Sequence, residues 1–233
     1  MTKRAIILAG GKGTRLKPYT ISMPKPLVPV GDVPVLEIII RQLKRHGFTH
    51  ITITLNHLAE IIKAFFGDGS KWGIKIDYTL ETKALSTMGP LTLLKDVPDN
   101  LLVMNGDVLT DLDFHQLFEE HVRSQSLFTI ASSFRKEKMD YGVLECNSES
   151  LLTGFREKPD FSFLVSMGVY IVNRKAIELI PPDTFFGFDH LMKKMIDMRL
   201  YPRVVKHQGF WLDIGRPDDY EKAINEAHNY IDL

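Results

Sequence analysis

The chain has 233 residues, a balanced 29 Lys+Arg against 29 Asp+Glu, and a sequence pI near 7.1. That length accommodates one large domain or two small ones with a sizeable core. The zero net charge offers no bulk attraction to nucleic acid or to an anionic membrane, so neither is expected as a partner. The single cysteine, Cys146, excludes an internal disulfide and a cysteine-built zinc site and fits a reducing compartment.

Met1 to Arg4 is basic, but the apolar run that follows, Ala5 to Ala9, is shorter than a signal peptide requires. No stretch approaches the ~18 apolar residues of a spanning helix. A cytoplasmic location is expected.

Residues 4–9 form a short apolar run ending on a glycine pair, the pattern of a buried strand in a parallel sheet. Residues 34–46 read as a helix. Pro34 suits its first position, Val35, Leu36, Ile39, Ile40 and Leu43 make its inward stripe, and Gly47 stops it. Residues 51–55 alternate as a strand, 57–66 form a helix ended by Gly67, and 73–80 alternate again. Residues 88–95 are expected to be helical, and 101–104 make a third apolar run before Asn105-Gly106-Asp107. Strand and helix alternating over the first 110 or so residues argue for an α/β fold with a largely parallel sheet.

The second half holds strand candidates at 127–134, 142–146, 151–156 and 165–172, then helices near 174–180, 187–199 and 217–230. No linker, low-complexity tract or repeat separates the halves. The expectation is one domain over 1–233 in two continuous halves, about 1–110 and about 111–233, the second a lid or substrate-binding half continuous with the sheet.

The segment Leu8-Ala9-Gly10-Gly11-Lys12-Gly13-Thr14-Arg15-Leu16, followed by Pro24-Lys25-Pro26-Leu27, carries the clearest chemistry. A glycine-rich turn directly after a buried strand lets backbone N–H groups cradle phosphates. Two better-known loops do not fit it. The dinucleotide fingerprint needs a glycine where Leu16 stands, and the P-loop needs Gly-Lys-Ser/Thr where the chain has Gly11-Lys12-Gly13. Arg15 can fork onto phosphate oxygens, and Lys25, held between prolines, supplies a point charge.

GGKGTRLKPYTISMPKPLVPVGDVP resembles the signature of the sugar-1-phosphate nucleotidyltransferases, the nucleoside-diphosphate-sugar pyrophosphorylases. Four further motifs follow in the family's order: Leu85 to Leu91, Asn105-Gly106-Asp107, Tyr141-Gly142-Val143 with Glu157-Lys158-Pro159, and Trp211 to Gly215. The resemblance implies a Rossmann-like three-layer α/β sandwich with a mostly parallel central sheet, of the nucleotide-diphospho-sugar transferase type. It implies an enzyme that attacks the α-phosphorus of a nucleoside triphosphate with a sugar-1-phosphate oxygen and releases pyrophosphate.

By position, Arg15, Lys25, Asp107 and Asp213 would be catalytic, and Asp107 and Asp213 would hold Mg²⁺. Leu8, Ala9, Gly10, Gly11, Gly13, Thr14, Glu81 and Gly89 would join Arg15, Lys25 and Asp107 around the nucleotide. Gly142, Glu157, Lys158, Ser166 and Gly168 would meet the sugar phosphate. Two carboxylates plus phosphate oxygens and water suit an octahedral Mg²⁺.

The chain departs from the family's usual Gly-Thr-Ala-Gly with Ser86-Thr87-Met88-Gly89, and Met88 is expected to add bulk near the base pocket. Ser166 stands where an asparagine is frequent. Glu81 falls near where uridylyl and thymidylyl members place a glutamine. A carboxylate only accepts hydrogen bonds, which suits the N–H groups on guanine's edge. The run from Glu81 to Leu91 most resembles the short mannose-1-phosphate and heptose-1-phosphate guanylyltransferases, so GTP and a manno-configured sugar 1-phosphate are the expected substrates. UTP, CTP or dTTP with another sugar is the alternative. A metal-dependent glycosyltransferase and a non-catalytic nucleotide-sugar sensor are the other classes.

Asp111 and Asp113 form a D-x-D spacing but read as loop and helix-start acids. The eight histidines, His46, His50, His57, His115, His121, His190, His207 and His228, show no ligand spacing. Cys146 has no cationic neighbour or base and is not expected to be a nucleophile. The stripe Tyr220, Ala223, Ile224, Ala227, Tyr230 and Ile231 reads as packing, with a homodimer contact left open. Some family members add a left-handed β-helical domain; with the sequence ending at Leu233, none is expected here.

Overall fold

Alternation at period two sorts the apolar residues of the central strands onto opposite faces of one sheet. Thus Ala5 and Ile7 belong to one buried cluster and Ile6 to another, and the same division separates Leu102 and Met104 from Leu101 and Val103. Each face therefore needs its own cover. The computed structural model describes residues 3–229 apart from Lys12 and His57.

The elements of the first half are β1 (Lys3–Leu8), β2 (Pro29–Val30), β3 (Val33–Pro34), α1 (Val35–Arg45), β4 (Phe48–Leu55), α2 (Ala59–Phe66), β5 (Lys75–Leu80), β6 (Asn100–Asn105) and β7 (Val108–Thr110). Those of the second are α3 (Phe114–Ser124), β8 (Phe128–Lys138), β9 (Val143–Cys146), β10 (Leu152–Arg156), β11 (Asp160–Asn173), α4 (Arg174–Ile177), α5 (Phe188–Asp197), β12 (Arg203–Lys206), β13 (Trp211–Asp213) and α6 (Pro217–Glu226).

Seven strands form the central sheet in the order β12-β8-β11-β6-β1-β4-β5. β6, β1, β4 and β5 run parallel, β11 is antiparallel to both β6 and β8, and β12 is parallel to β8. On one face lie α1, α2, α3 and α6, through Leu36, Ile40, Ile62, Phe114 and Ala223. On the other lie α4 and α5, through Ile177, Leu191 and Met195, with the 3₁₀ turn at Gly89–Leu93 contributing Leu91. The expected three-layer α/β arrangement with a mostly parallel sheet is what the chain adopts. Fully buried side chains such as Ile6 and Ile7 each contribute about 2 kcal/mol through area removed from water.

Several boundaries differ from the sequence reading. The expected helix at 88–95 is a five-residue 3₁₀ turn, Gly89–Leu93, that ends where Leu94 turns extended at φ −70°, ψ 139°. The strands β7, β12 and β13 are three or four residues long and carry too little periodicity to be read in advance. His57, Tyr230 and Ile231 lie outside the described residues. Of the C-terminal stripe, Ala223 and Ala227 are buried, and the Tyr220 hydroxyl donates to the Pro29 carbonyl at 2.8 Å. Among the described residues, no helix is long and apolar enough to cross a membrane.

His121, on α3, is buried between Thr129 Oγ1 at 2.8 Å and Asn100 Oδ1 at 3.1 Å. An amide oxygen only accepts, so Nε2 carries the proton and Nδ1 accepts from the threonine hydroxyl. Burial pushes the imidazole pKa down from 6.5 to about 4. The stability this group contributes is present above 6.5 and is lost as pH falls through 4, by about 3 kcal/mol in all. His121→Gln is expected to flatten the fall in urea midpoint between pH 7.5 and 4.5; an unchanged slope would place the acid sensitivity elsewhere.

Candidate nucleotide-binding cavity

Parallel strands deliver their carboxyl ends to one edge of a sheet, and a crevice forms there where the strand order reverses. Here β1 lies between β6 and β4, and their three ends open onto a cavity of about 520 Å³. Leu8, Ala9, Gly10, Gly11, Gly13, Thr14 and Arg15 line it from the glycine turn, and Lys25 and Pro26 from the following segment. Lys12 lies outside the described residues.

The turn is built locally. Gly13 adopts φ +62°, a left-handed conformation that favours glycine, and its carbonyl accepts from the Thr20 hydroxyl at 2.7 Å and the Leu16 amide at 3.0 Å. Leu16 is fully buried and anchors the 3₁₀ turn that carries Arg15. A second 3₁₀ turn, Lys25–Leu27, is closed by the Leu27 amide on the Pro24 carbonyl at 2.9 Å and sets the Lys25 backbone.

The two acidic positions are brought together by pairing. Asp107 follows β6, and the Gly106 amide bonds the Leu8 carbonyl at 2.9 Å, which ties that bend to the end of β1. β13 runs antiparallel to β7 with Asp213 opposite Val108, and the Ile214 amide bonds the Asp107 carbonyl at 3.0 Å. The Lys25 ammonium pairs with Asp107 Oδ2. Oδ1 of Asp107 and Oδ1 of Asp213 are both buried with no hydrogen-bond partner among the described residues. Burial first, and then the negative charge of Asp107, push the Asp213 carboxyl up to about 6, with Lys25 and Arg15 pulling the other way. Two buried carboxylates near enough to interact, each with an unpartnered oxygen, are a donor set that fits a small hard cation. They fall short of a complete cage: among the described residues no group of three or more His, Cys, Asp or Glu side chains is poised for a metal.

At the opposite wall, Glu81 follows β5, held by its amide on the Leu55 carbonyl at 2.8 Å. Its Oε2 accepts from the Leu85 amide at 3.2 Å, and Oε1 leans over Gly10, where a Cβ would stand 2.6 Å away. Burial raises the Glu81 pKa, partly offset by the Leu85 amide.

Gly89 does not line the cavity. It is buried, and a Cβ there would meet the Thr184 carbonyl at 2.8 Å. Met88 is also fully buried, packed with the cluster of Ile6, Leu91 and Leu101. The bulk expected near the base pocket is therefore directed into the core instead.

The sugar-side candidates fall into two places. Gly168, at φ +73° in the irregular stretch of β11, sits against Asn105, which lines the cavity. Ser166 Oγ accepts from the Gly168 amide at 3.2 Å. Gly142, Glu157 and Lys158 flank the β9–β10 hairpin and do not line this cavity; Gly142 adjoins the Phe155 ring and Glu157. Lys158 has a left-handed φ of +41° and is exposed.

The remaining candidates have structural partners. Asp113 caps α3 by accepting from the Gln116 amide at 2.8 Å, and Asp111 pairs with His207 at 2.7 Å. His46 and His50 pair with Asp113 and Asp77. Cys146 is exposed. The sequence reading missed Thr54, Asn56, Phe185 and Gly215, all of which line the cavity. Thr54 and Asn56 stand at the end of β4, and a strand order could have flagged them.

The glycine turn, the acid pair and the parallel-strand crevice together define a protein of the nucleotidyl transferase family, and the chain belongs to it: the family's model matches residues 4–229. The UTP–glucose-1-phosphate uridylyltransferase of Synechocystis sp. is 32% identical over 241 residues, covering 95% of this chain and 62% of that protein. The D-glycero-alpha-D-manno-heptose 1-phosphate guanylyltransferase of Aneurinibacillus thermoaerophilus is 32% identical over 232 residues, covering 97% and 99%. This chain thus spans about three-fifths of the first relative and nearly all of the second. The solved structure of HddC from Yersinia pseudotuberculosis matches with a TM-score of 0.75 at 26% identity, covering 96% of this chain and 98% of that one. The same protein complexed with GMP-PN matches at 0.72.

Proposed function

We propose that the protein transfers a nucleoside monophosphate from GTP to a manno- or heptose-type sugar 1-phosphate, giving a GDP-sugar and pyrophosphate. The observation that carries this reading is the Lys25–Asp107 pair in the wall of a glycine-lined cavity, with Asp213 close enough to Asp107 to feel its charge and one buried oxygen of each carboxylate left unpartnered. Both reactants are polyanions, so the protein must bring like charges together and offset the charge at the transferring phosphorus.

The glycine turn and Thr14 hold the triphosphate through backbone and hydroxyl donors, and Arg15 and Lys25 balance its charge. A sugar-phosphate oxygen forms the new bond to the α-phosphorus as the bond to the leaving pyrophosphate breaks. The phosphate nucleophile is already ionised, so no general base is required. Asp107 and Asp213 would hold Mg²⁺, which supplies Lewis-acid stabilisation of phosphoryl charge when bound. Gly142, Glu157, Lys158, Ser166 and Gly168 take the sugar phosphate. The chain works as one domain, its halves near 1–110 and 111–233, in the cytoplasm, with no nucleic-acid or membrane partner.

Glu81 reads the base. Its carboxylate accepts from the N1–H and exocyclic N–H of guanine, which a pyrimidine imide cannot supply in the same way. The same reaction with UTP, CTP or dTTP is the second reading, favoured by the uridylyl activity named for the Synechocystis relative. A glycosyltransferase reading is weakened because Asp111 and Asp113 are engaged with His207 and the start of α3.

Pyrophosphate release from GTP, UTP, CTP, ATP and dTTP against a panel of sugar 1-phosphates tests the proposal. Release is expected with GTP and a manno-type sugar; no release with any pair would sink the transferase reading, and release with UTP alone would overturn the base assignment. Glu81→Gln is expected to lower kcat/KM for GTP by roughly 10–100-fold and to narrow the preference over UTP, because one acceptor becomes a donor facing a donor.

A further inference from the structure

A Phe side chain left in water forgoes about 2–3 kcal/mol of burial, and Phe185, the one aromatic side chain among the described residues that line the cavity, is 60% exposed. It belongs to the second half of the chain, yet its position is fixed by the first. The Phe186 amide bonds the Leu85 carbonyl at 3.0 Å, and the Phe186 carbonyl receives the Met88 and Gly89 amides. The Phe188 amide bonds Thr87 Oγ1 at 2.8 Å, and Lys83 pairs with Asp183 at 2.7 Å. Gly89, lacking a Cβ, lets the Thr184 carbonyl close in.

The segment 183–188 is thus laced to 83–89 along its length. Phe186 packs against the core cluster below the sheet, and its neighbour Phe185 is turned to the cavity. Among the described residues the only ring paired with Phe185 is that of His190, near-perpendicular at 6.4 Å between centroids, and no ring is stacked on it. Glu81, Ala84, Ser86 and Thr87 also line the cavity, and Leu85, whose carbonyl takes the Phe186 amide, donates its own amide to Glu81 Oε2 at 3.2 Å.

We infer that Phe185 is a nucleobase platform: its ring stacks on the face of the base whose edge Glu81 reads. This rests on the nucleotide reading of the cavity. The two residues divide the work, stacking being tolerant of base identity because every base has a π-face, and the carboxylate being selective. It also gives the second half of the chain a direct share in nucleotide binding.

The test compares Phe185→Ala, Phe185→Leu and Phe185→Trp with the parent for KM and kcat, and for binding of GTP and of inorganic tripolyphosphate by calorimetry. Phe185→Ala is expected to raise KM and Kd for GTP by roughly 10–100-fold, with kcat within about twofold, the range stacking provides. Phe185→Leu should resemble Ala, Phe185→Trp should resemble the parent, and tripolyphosphate binding should not change. Equal weakening of GTP and tripolyphosphate, or full rescue by Leu, would overturn the platform. GTP binding needs no turnover, so a parent that binds GTP with Phe185 dependence but releases no pyrophosphate would keep the platform while defeating the transferase reading.

Discussion

Asp107→Asn and Asp213→Asn are each expected to lower turnover by roughly two to three orders of magnitude while leaving the fold in place, on the order of what loss of one electrostatic partner costs. The fold survives because what positions each residue is backbone. The Gly106 amide holds Leu8, the Ile214 amide holds the Asp107 carbonyl, and Asp213 is registered opposite Val108. An amide of the same shape keeps those bonds. It removes a charge from a pair whose Oδ1 atoms have no other partner in the described chain. The measurements are pyrophosphate release and thermal unfolding with and without Mg²⁺. A ligand that binds the folded state raises its melting temperature, so Mg²⁺ should raise that of the parent and neither variant's. Near-parental turnover in both variants would refute the metal assignment.

Features that are local in sequence were legible, and features set by strand order were not. The glycine turn, Lys25 between prolines and Asn105-Gly106-Asp107 are each contiguous, and each lines the cavity. Asp213 was placed by family resemblance. Its meeting with Asp107 depends on two three-residue strands, β7 and β13, whose pairing has no periodic signature. Thr54 and Asn56 enter the site only because β4 is the neighbour of β1. Phe185 enters because 183–188 is laced to 83–89, nearly a hundred residues earlier in the chain. Met88 shows the converse error. Its place in a loop motif implied a cavity role, but hydrogen bonding of its amide to Phe186 seats the thioether in the core. Composition said only that charges balance; the site concentrates both signs, with Arg15 and Lys25 beside Asp107 and Asp213.

Lys25→Met is expected to move metal binding and turnover in opposite directions. In the free protein the Lys25 ammonium occupies Oδ2 of Asp107, so a lysine and a divalent cation compete for one carboxylate. Replacing the lysine with an apolar side chain of similar length leaves Asp107 and Asp213 adjacent with less positive charge to offset them. The paired carboxylates should then bind Mn²⁺ or Mg²⁺ several-fold more tightly in the absence of nucleotide, since two like charges near each other favour a cation. Turnover should nonetheless fall by roughly two to three orders of magnitude, because a charge that would face the triphosphate has gone. Calorimetric titration of Mn²⁺ into the nucleotide-free protein, alongside steady-state pyrophosphate release, reads both effects. Weaker Mn²⁺ binding in Lys25→Met would mean that the lysine organises the carboxylates rather than competing for them. Undiminished turnover would mean that its charge is not directed at phosphate.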